Sequence, residues 1–263
     1  MKLCKTLLLI MAALLFAPLY AGAGADRTSA KPVENQCVIL LHGLARSAGS
    51  MGVMAEALSE QGYRVVNQGY PSRKEPVERL ASSAIPQAVT ACDQHSPATA
   101  IHFVTHSMGG ILVRQYLSQQ QIDNLGRVVM LSPPNQGSET VDRLGDMPGF
   151  YLLNGPAGQQ LGTTGDSLPN TLGKASFPLG IITGDRSINL ILSALIPGPD
   201  DGKVAIERAK LEGMTDFLVV HHSHPFIMKQ PLVIEQTLYF LKQGRFLKNA
   251  GGTTLEGGDG TRP

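Results

Sequence analysis

Residues 100–110 read AIHFVTHSMGG, and this stretch decides the fold. Residues 100–105 form a β-rich apolar run, and a stretch with helical spacing begins at Met108. Ser107 therefore lies in the turn between a predicted strand and a predicted helix. A sharp turn of this kind holds a serine hydroxyl above the sheet, at a helix N-terminus whose unpaired N–H groups favour an anion. The stretch predicts a nucleophilic serine; the alternative is an ordinary buried serine.

Apolar runs of the same kind recur along the chain and alternate with helical spacing. The predicted strands are 38–41, 63–66, 100–105, 127–131, 179–183 and 217–220, and the predicted helices are 50–61, 76–92, 108–118 and 234–241. Strands that are separated by single helices pair in parallel through right-handed crossovers. The sequence therefore predicts an α/β fold with a doubly wound, mostly parallel sheet of about six strands.

Composition and charge exclude one class of partner. The chain has 263 residues, of which 43% are hydrophobic, enough for a substantial core. The formal net charge is +1 without a long basic run, Trp is absent, and aromatic residues make up 5%. A nucleic-acid binder needs a basic surface or aromatic stacking platforms. We therefore expect no nucleic-acid partner.

The first 25 residues have the order of a secretory signal peptide. Lys2 and Lys5 precede the apolar run 6–17, and small residues follow at 21–25. The run is shorter than the ~20 residues that span a bilayer, although an uncleaved membrane anchor is the alternative. We expect residues 1–25 to be removed, the protein to be exported to the periplasm or the medium, the folded domain to cover 26–249, and the Gly-rich tail 250–263 to be disordered.

Two cysteines remain after Cys4 leaves with the signal peptide. In an oxidising compartment Cys37 and Cys92 could form a disulfide, and the alternative is two buried thiols. Two distant cysteines provide too few ligands for a metal ion, so the sequence predicts no metal site.

One long segment interrupts the alternation of strands and helices. Residues 135–174 contain eight glycines and three prolines without strong periodicity. An insertion of this length in a compact domain is usually functional, so we expect a cap or lid; a surface decoration is the alternative. The apolar residues 150–153 suggest an apolar pocket for an acyl chain; the alternative is that they pack the cap on the body.

A serine nucleophile needs a base and an acid. His221, His222 and His224 follow the last strand, at the edge of the sheet where reactive groups gather, and we favour His224 with His222 as the alternative. Asp185 follows the fifth strand and Asp201 lies in the segment 199–204. Either carboxylate could orient the histidine or merely form a turn, and periodicity does not decide between them.

Two backbone N–H groups are candidates for an oxyanion hole. The N–H of Met108 follows the serine at the start of the predicted helix. The loop after the first strand, His42-Gly43-Leu44, offers the N–H of Leu44 as a second donor, because Gly43 permits a tight backbone.

Four motifs together resemble an α/β hydrolase of the bacterial lipase/esterase type. They are HGL at 42–44, THSMGG at 105–110, SPPNQGS at 132–138 and DGKV at 201–204, and the resemblance covers about 37–244. It implies a sheet that lacks the first two edge strands of the family, Asp201 rather than Asp185 as the acid, Leu44 and Met108 as oxyanion donors, and 135–174 as the cap. The sequence departs from the family's GxSxG at Thr105, which replaces the first glycine.

The expected function follows from these residues. We expect an exported serine hydrolase that cleaves small-molecule carboxylic esters, acyl lipids or lipid-like esters, through Ser107, His224 and Asp201 without a cofactor. Contact with a membrane would come through a lipid substrate or an uncleaved N-terminal segment. The alternatives are a thioesterase or acyltransferase with the same triad, and a non-catalytic binding protein of the same fold.

Overall fold

The computed structural model describes residues 33–247 and 253–254. The predicted signal peptide, 1–25, lies outside these residues, and so does the predicted tail 250–263 apart from Thr253–Thr254. No helix within the described ranges is long and apolar enough to cross a membrane.

One twisted sheet organises the described chain. Its strands are β1 Gln36–Leu41, β2 Arg64–Gln68, β3 Ala100–His106, β4 Leu125–Leu131, β5 Leu179–Gly184, β6 Asp216–Val220 and β7 Thr253–Thr254. The spatial order is β2-β1-β3-β4-β5-β6-β7; the first six strands are parallel, and β7 pairs antiparallel with β6. The prediction of a doubly wound sheet with six parallel strands is confirmed.

Helices connect these strands. They are α1 Gly52–Glu60, α2 Val77–Asp93, α3 Met108–Leu117, α4 Glu139–Leu144, α5 Phe150–Gln159, α6 Leu168–Thr171, α7 Leu190–Ser193, α8 Ile206–Ala209 and α9 Pro231–Gln243, with 3₁₀ turns at Ala48–Met51 and Ile227–Lys229. The four predicted helices are present as α1, α2, α3 and α9. The five helices α4–α8 were not predicted, because four of them span a turn or two and α5 is interrupted by the non-helical Gly155, so they carry little periodic signal.

The sheet buries both of its faces. On β1, Cys37, Ile39 and Leu41 pack into one apolar core with α2 and α3, whereas Val38 and Leu40 pack into a second core with α1 and α9. Successive side chains of a strand point to opposite faces, so a strand covered on both sides must be apolar throughout.

A disulfide joins strand β1 to a helix that covers it. Cys37 of β1 and Cys92 of α2 are bonded, with their Cα atoms 5.7 Å apart, and both side chains are fully buried. Of the two alternatives that the sequence left open, the structure contains the bonded pair.

The 135–174 insert lies between β4 and β5. It contains α4, α5 and α6, although its sequence shows no strong periodicity. The buried Arg114 of α3 donates hydrogen bonds to the carbonyl oxygens of Asn135, Pro169 and Gly173, at 2.7, 2.9 and 2.9 Å. Burial lowers the pKa of Arg114 to about 10. One guanidinium group thus holds both ends of the insert against the body of the domain.

Candidate active site

Ser107 occupies a strained turn between β3 and α3. Its φ and ψ are 52° and −123°, a region that residues other than glycine rarely adopt. The N–H of Ser107 donates to the carbonyl oxygen of Leu131 at 2.8 Å, and the N–H of Gly110 donates to that of Ser107 at 3.0 Å. These bonds stabilise the turn, and the serine side chain stays partly exposed.

Two glycines allow the turn to pack against the loop after β1. A Cβ at position 109 would lie 2.6 Å from the carbonyl oxygen of Leu41. A Cβ at position 43 would lie 2.9 Å from Nδ1 of His106 and 3.1 Å from Cβ of Ser107. A side chain at either position would separate the two loops.

Thr105, the departure from the GxSxG pattern, does not prevent this geometry. Its side chain is fully buried in β3, and Gly110 lies across from it on α3. A Cβ at position 110 would come within 3.3 Å of Oγ1 of Thr105, so the glycine of the helix leaves room for the larger strand residue.

Ser107 forms a hydrogen-bonded chain with His224 and Asp201. Nε2 of His224 lies 3.1 Å from Oγ of Ser107, and Nδ1 lies 2.8 Å from Oδ2 of Asp201. His224 is 4% exposed and Asp201 is fully buried. Because the carboxylate can only accept, Nδ1 carries the proton, and Nε2 is left to accept the proton of the serine hydroxyl.

Backbone bonds hold the acid and the base in place. Oδ1 of Asp201 accepts the N–H groups of Lys203 and Val204 at 3.0 and 2.9 Å. The N–H of His224 donates to the carbonyl oxygen of Asp201 at 2.9 Å, which ties the loop after β6 to the acid loop.

The two alternative residues lie elsewhere. Oδ1 of Asp185 lies 2.8 Å from Nδ1 of the exposed His221. The N–H of His222 donates to the carbonyl oxygen of Val220 at 2.8 Å, and Ser107 is bonded to His224 instead. The structure therefore brings Ser107, His224 and Asp201 together, and it brings neither Asp185 nor His222 into this chain.

Both predicted oxyanion donors lie near Ser107, Met108 as the next residue of the sequence and Leu44 through the folding of the chain. Met108 is the first residue of α3, and the backbone before Leu44 packs on Ser107 through Gly43. Within residues 33–247 neither N–H has a hydrogen-bond acceptor. Two unpaired donors at a helix N-terminus can stabilise a negative charge that develops there.

Comparison with known proteins agrees with this architecture. A sequence model described as the α/β hydrolase fold matches residues 36–154, which include β1, β3 and the Ser107 turn. The chain has the α/β hydrolase fold. No curated protein matches it in sequence.

Several solved structures share the fold of this α/β hydrolase at low identity. The mature lipase BlEst2 of Bacillus licheniformis is 18% identical, with a TM-score of 0.58 over 78% of this chain and 91% of that one. The phospholipase PlaB of Legionella pneumophila is 17% identical, with a TM-score of 0.59 over 78% of this chain and 57% of that one. Lipase B of Aspergillus fumigatus is 16% identical, with a TM-score of 0.53 over 81% and 54%.

A cavity of about 240 Å³ opens at Ser107. The 135–174 insert contributes apolar walls through Val141, Phe150 and Leu161. The expectation for residues 150–153 needs correction, because only Phe150 of these four lines this cavity. Tyr151, Leu152 and Leu153 are 60%, 81% and 62% exposed, so they neither form the pocket nor pack the insert on the body.

Three residues of the site were not identified from the sequence. His106 is fully enclosed, its Nε2 donates to the carbonyl oxygen of His224 at 3.0 Å, and burial lowers its pKa well below the ordinary value. The signal for His106 in the sequence was its position directly before Ser107. Arg46 and Lys203 line the cavity, and both follow predicted site residues by two positions, Leu44 and Asp201.

Proposed function

We propose that this α/β hydrolase is a serine hydrolase of carboxylic esters. The observation that carries the proposal is the chain of two hydrogen bonds, 3.1 Å from Ser107 to His224 and 2.8 Å from His224 to Asp201. A serine hydroxyl becomes nucleophilic when a base accepts its proton, and the base works best when a carboxylate fixes its tautomer.

The reaction proceeds through an acyl-enzyme. Nε2 of His224 accepts the proton of Ser107 as Oγ attacks the ester carbonyl carbon, and the N–H groups of Leu44 and Met108 donate to the resulting oxyanion. A donor of this kind is worth about 3 kcal/mol in the transition state. His224 then gives its proton to the departing alkoxide, and Asp201 stabilises the intervening imidazolium. His224 then accepts a proton from water as the water attacks the acyl carbon, and it returns that proton to Oγ of Ser107 as the acyl–oxygen bond breaks, which releases the carboxylic acid and restores the serine.

We further propose that the substrates are acyl lipids or lipid-like esters and that the 135–174 insert acts as a cap. The apolar side chains of Val141, Phe150 and Leu161 on the cavity wall support an acyl-binding role. The structural neighbours include proteins titled lipase and phospholipase, which agrees with this substrate class.

We propose that the enzyme acts outside the cytoplasm. The order of charged, apolar and small residues in 1–25 supports export. The Cys37–Cys92 disulfide supports an oxidising compartment, either the periplasm or the medium.

A fluorophosphonate probe tests the nucleophile. The purified mature protein should be labelled on the peptide that contains Ser107, and Ser107→Ala should be neither labelled nor active on p-nitrophenyl butyrate. Thermal unfolding of both proteins controls for folding. Faster turnover of a matched thioester, or transfer of the acyl group to added alcohol, would assign a thioesterase or an acyltransferase. A folded wild-type protein that shows neither labelling nor turnover would indicate a non-catalytic binding protein.

A further inference from the structure

Two positively charged side chains line the cavity beside Ser107 without a partner. Arg46 is half-buried and Lys203 is in the acid loop. Neither side chain makes a hydrogen bond or an ion pair with any residue of 33–247. Both charges act on the enclosed ring of His106, where they contribute to its lowered pKa, so both lie close to the nucleophile.

The only carboxylate among the described residues that line this cavity is already engaged. Oδ2 of Asp201 pairs with His224, and Oδ1 accepts the backbone N–H groups of Lys203 and Val204. Burial lowers the pKa of Lys203, and repulsion by the charge of Arg46 lowers it further, whereas the charge of Asp201 acts in the opposite direction. Two like charges in a shared cavity favour the binding of an anion.

Two cations of the described chain that do not line this cavity are paired with carboxylates. Arg208 lies 2.7 Å from Glu139, and Lys210 lies 2.7 Å from Glu207. Arg46 and Lys203, which line the cavity beside the reacting serine, have no such ion pair with a carboxylate of residues 33–247.

A second depression continues the positive surface outward. It has a volume of about 610 Å³, shares Arg46 with the cavity, and is lined by Arg73 and Lys74 together with the exposed Leu152 and Leu153. No carboxylate belongs to its described lining. A substrate that extends from Ser107 past Arg46 thus meets cationic and apolar groups.

We propose that the cavity selects acyl esters that carry an anionic group, a phosphate or a carboxylate, which Arg46 and Lys203 bind while Ser107 attacks the ester carbonyl. The inference rests on the proposed ester hydrolysis and specifies its substrate class. A guanidinium presents a planar fork of N–H donors that matches both anions, and an ammonium adds a compact charge. The anion itself undergoes no chemical change.

Matched pairs of monomeric substrates test the charge preference. The carboxylate arm compares mono-p-nitrophenyl succinate with p-nitrophenyl butyrate, and the phosphate arm compares dihexanoyl phosphatidate with dihexanoylglycerol. We expect the wild-type enzyme to have the higher kcat/KM for the anionic member of at least one pair. The pair that shows the preference identifies the anion, and raising NaCl from about 0.05 to about 0.5 M should weaken it.

Substitution of each cation then tests the assignment. Arg46→Gln and Lys203→Gln should each lower the ratio of anionic to neutral kcat/KM by about tenfold or more, the loss of one charge-assisted hydrogen bond. Lys174→Gln, which removes an exposed cation that lines neither cavity, should leave the ratio unchanged. If Arg46→Gln fails to fold, Lys203→Gln carries the test, because its side chain is more exposed.

The outcomes separate this inference from the proposed function. A wild-type enzyme that labels with fluorophosphonate but prefers the neutral ester of both pairs would overturn the inference alone. Equal ratios in wild type, Arg46→Gln and Lys203→Gln would do the same. A wild-type protein that neither labels nor hydrolyses any of the four esters would reject the proposed function, and the inference with it.

Discussion

The body of the domain, formed by β1–β6 with α1–α3 and α9, differs from the 135–174 insert in how it is held together. In the body, apolar strands are buried on both faces, and a disulfide joins β1 to α2. The insert has three short helices, and polar bonds tie it down, including those from Arg114 to three carbonyl oxygens.

The two regions also contribute differently to the site. The body and the loops at the carboxyl ends of its strands supply Ser107, His224, Asp201 and the two N–H donors. The insert supplies cavity walls and none of the groups proposed to react. We infer that the body determines whether the chemistry occurs and that the insert influences which substrate is bound.

The largest effect is expected in a body loop. Asp201→Asn should lower kcat by about 10³–10⁴-fold, because the amide would favour the wrong tautomer of His224. Asp185→Asn, the matched control at the surface, should change kcat by no more than about threefold, since exposed ion pairs contribute little. Turnover of p-nitrophenyl butyrate and thermal unfolding of both variants provide the measurement. The reverse result would assign the acid to Asp185.

The next effect concerns the close packing of the Ser107 turn. Gly109→Ala would place Cβ 2.6 Å from the carbonyl oxygen of Leu41. We expect a loss of about 2 to 3 kcal/mol in the free energy of unfolding and a fall in kcat, because backbone must move at the nucleophile. Thermal or urea unfolding and initial rates measure these changes.

Gly52→Ala is the matched control in the body. Gly52 begins α1 with helical φ and ψ, and its Cβ would meet nothing within 4 Å. Alanine there should stabilise the protein by about 0.5 kcal/mol and leave kcat unchanged. Equal destabilisation by both substitutions would show that the Ser107 turn is not specially constrained.

A smaller and more local effect is expected in the insert. Gly155 has a φ of 66°, and its Cβ would lie 1.9 Å from the carbonyl oxygen of Arg73. Gly155→Ala should detach part of the insert and lower the free energy of unfolding by about 2 kcal/mol. It should also raise KM and increase proteolytic cleavage within 135–174. Limited proteolysis followed by mass spectrometry locates the cleavage.

Gly149→Ala is a control that introduces backbone strain without a steric clash. Gly149 has a φ of 91° but its Cβ would meet nothing within 4 Å, so only the cost of the left-handed conformation, about 1 kcal/mol, should appear. If Gly155→Ala lowered kcat as strongly as Gly109→Ala does, the division of roles between insert and body would be wrong.

The sequence predicts the body better than the insert for a physical reason. A strand that is buried on both faces must be apolar at every position, as at 38–41, and this constraint is visible without any tertiary information. The helices of the insert are short, and Arg114 of another element holds the two ends of the segment, so local periodicity does not reveal its structure.

The same distinction applies to the site. Ser107 was predicted because strand, turn and helix are contiguous around it. Periodicity could not choose between Asp185 and Asp201, because the choice depends on which loop reaches His224 across 23 positions of sequence. The cations Arg46 and Lys203 carried little local signal, since their significance lies in the lack of an ion pair in the part of the folded chain that the structure describes.

The smallest expected effect is a loss of stability of the body at acidic pH. His102 in β3 is 3% exposed, and burial, together with the charge of Arg127, lowers its pKa to about 4. The unfolded residue binds a proton below its ordinary pKa of 6.5, whereas the folded one does not until about pH 4. Acidification from about pH 7.5 to about pH 5.5 should therefore lower the free energy of unfolding by about 1.4 kcal/mol through His102 alone.

His102→Gln isolates this contribution, because His42 and His106, whose pKa values burial also lowers, remain in both proteins. Its free energy of unfolding should fall by about 1.4 kcal/mol less than that of the wild type over the same pH range. Because the insert contains no histidine, its proteolytic cleavage should stay nearly constant while the body loses stability. Identical pH dependence in the two proteins would mean that His102 titrates alike in the folded and unfolded chain.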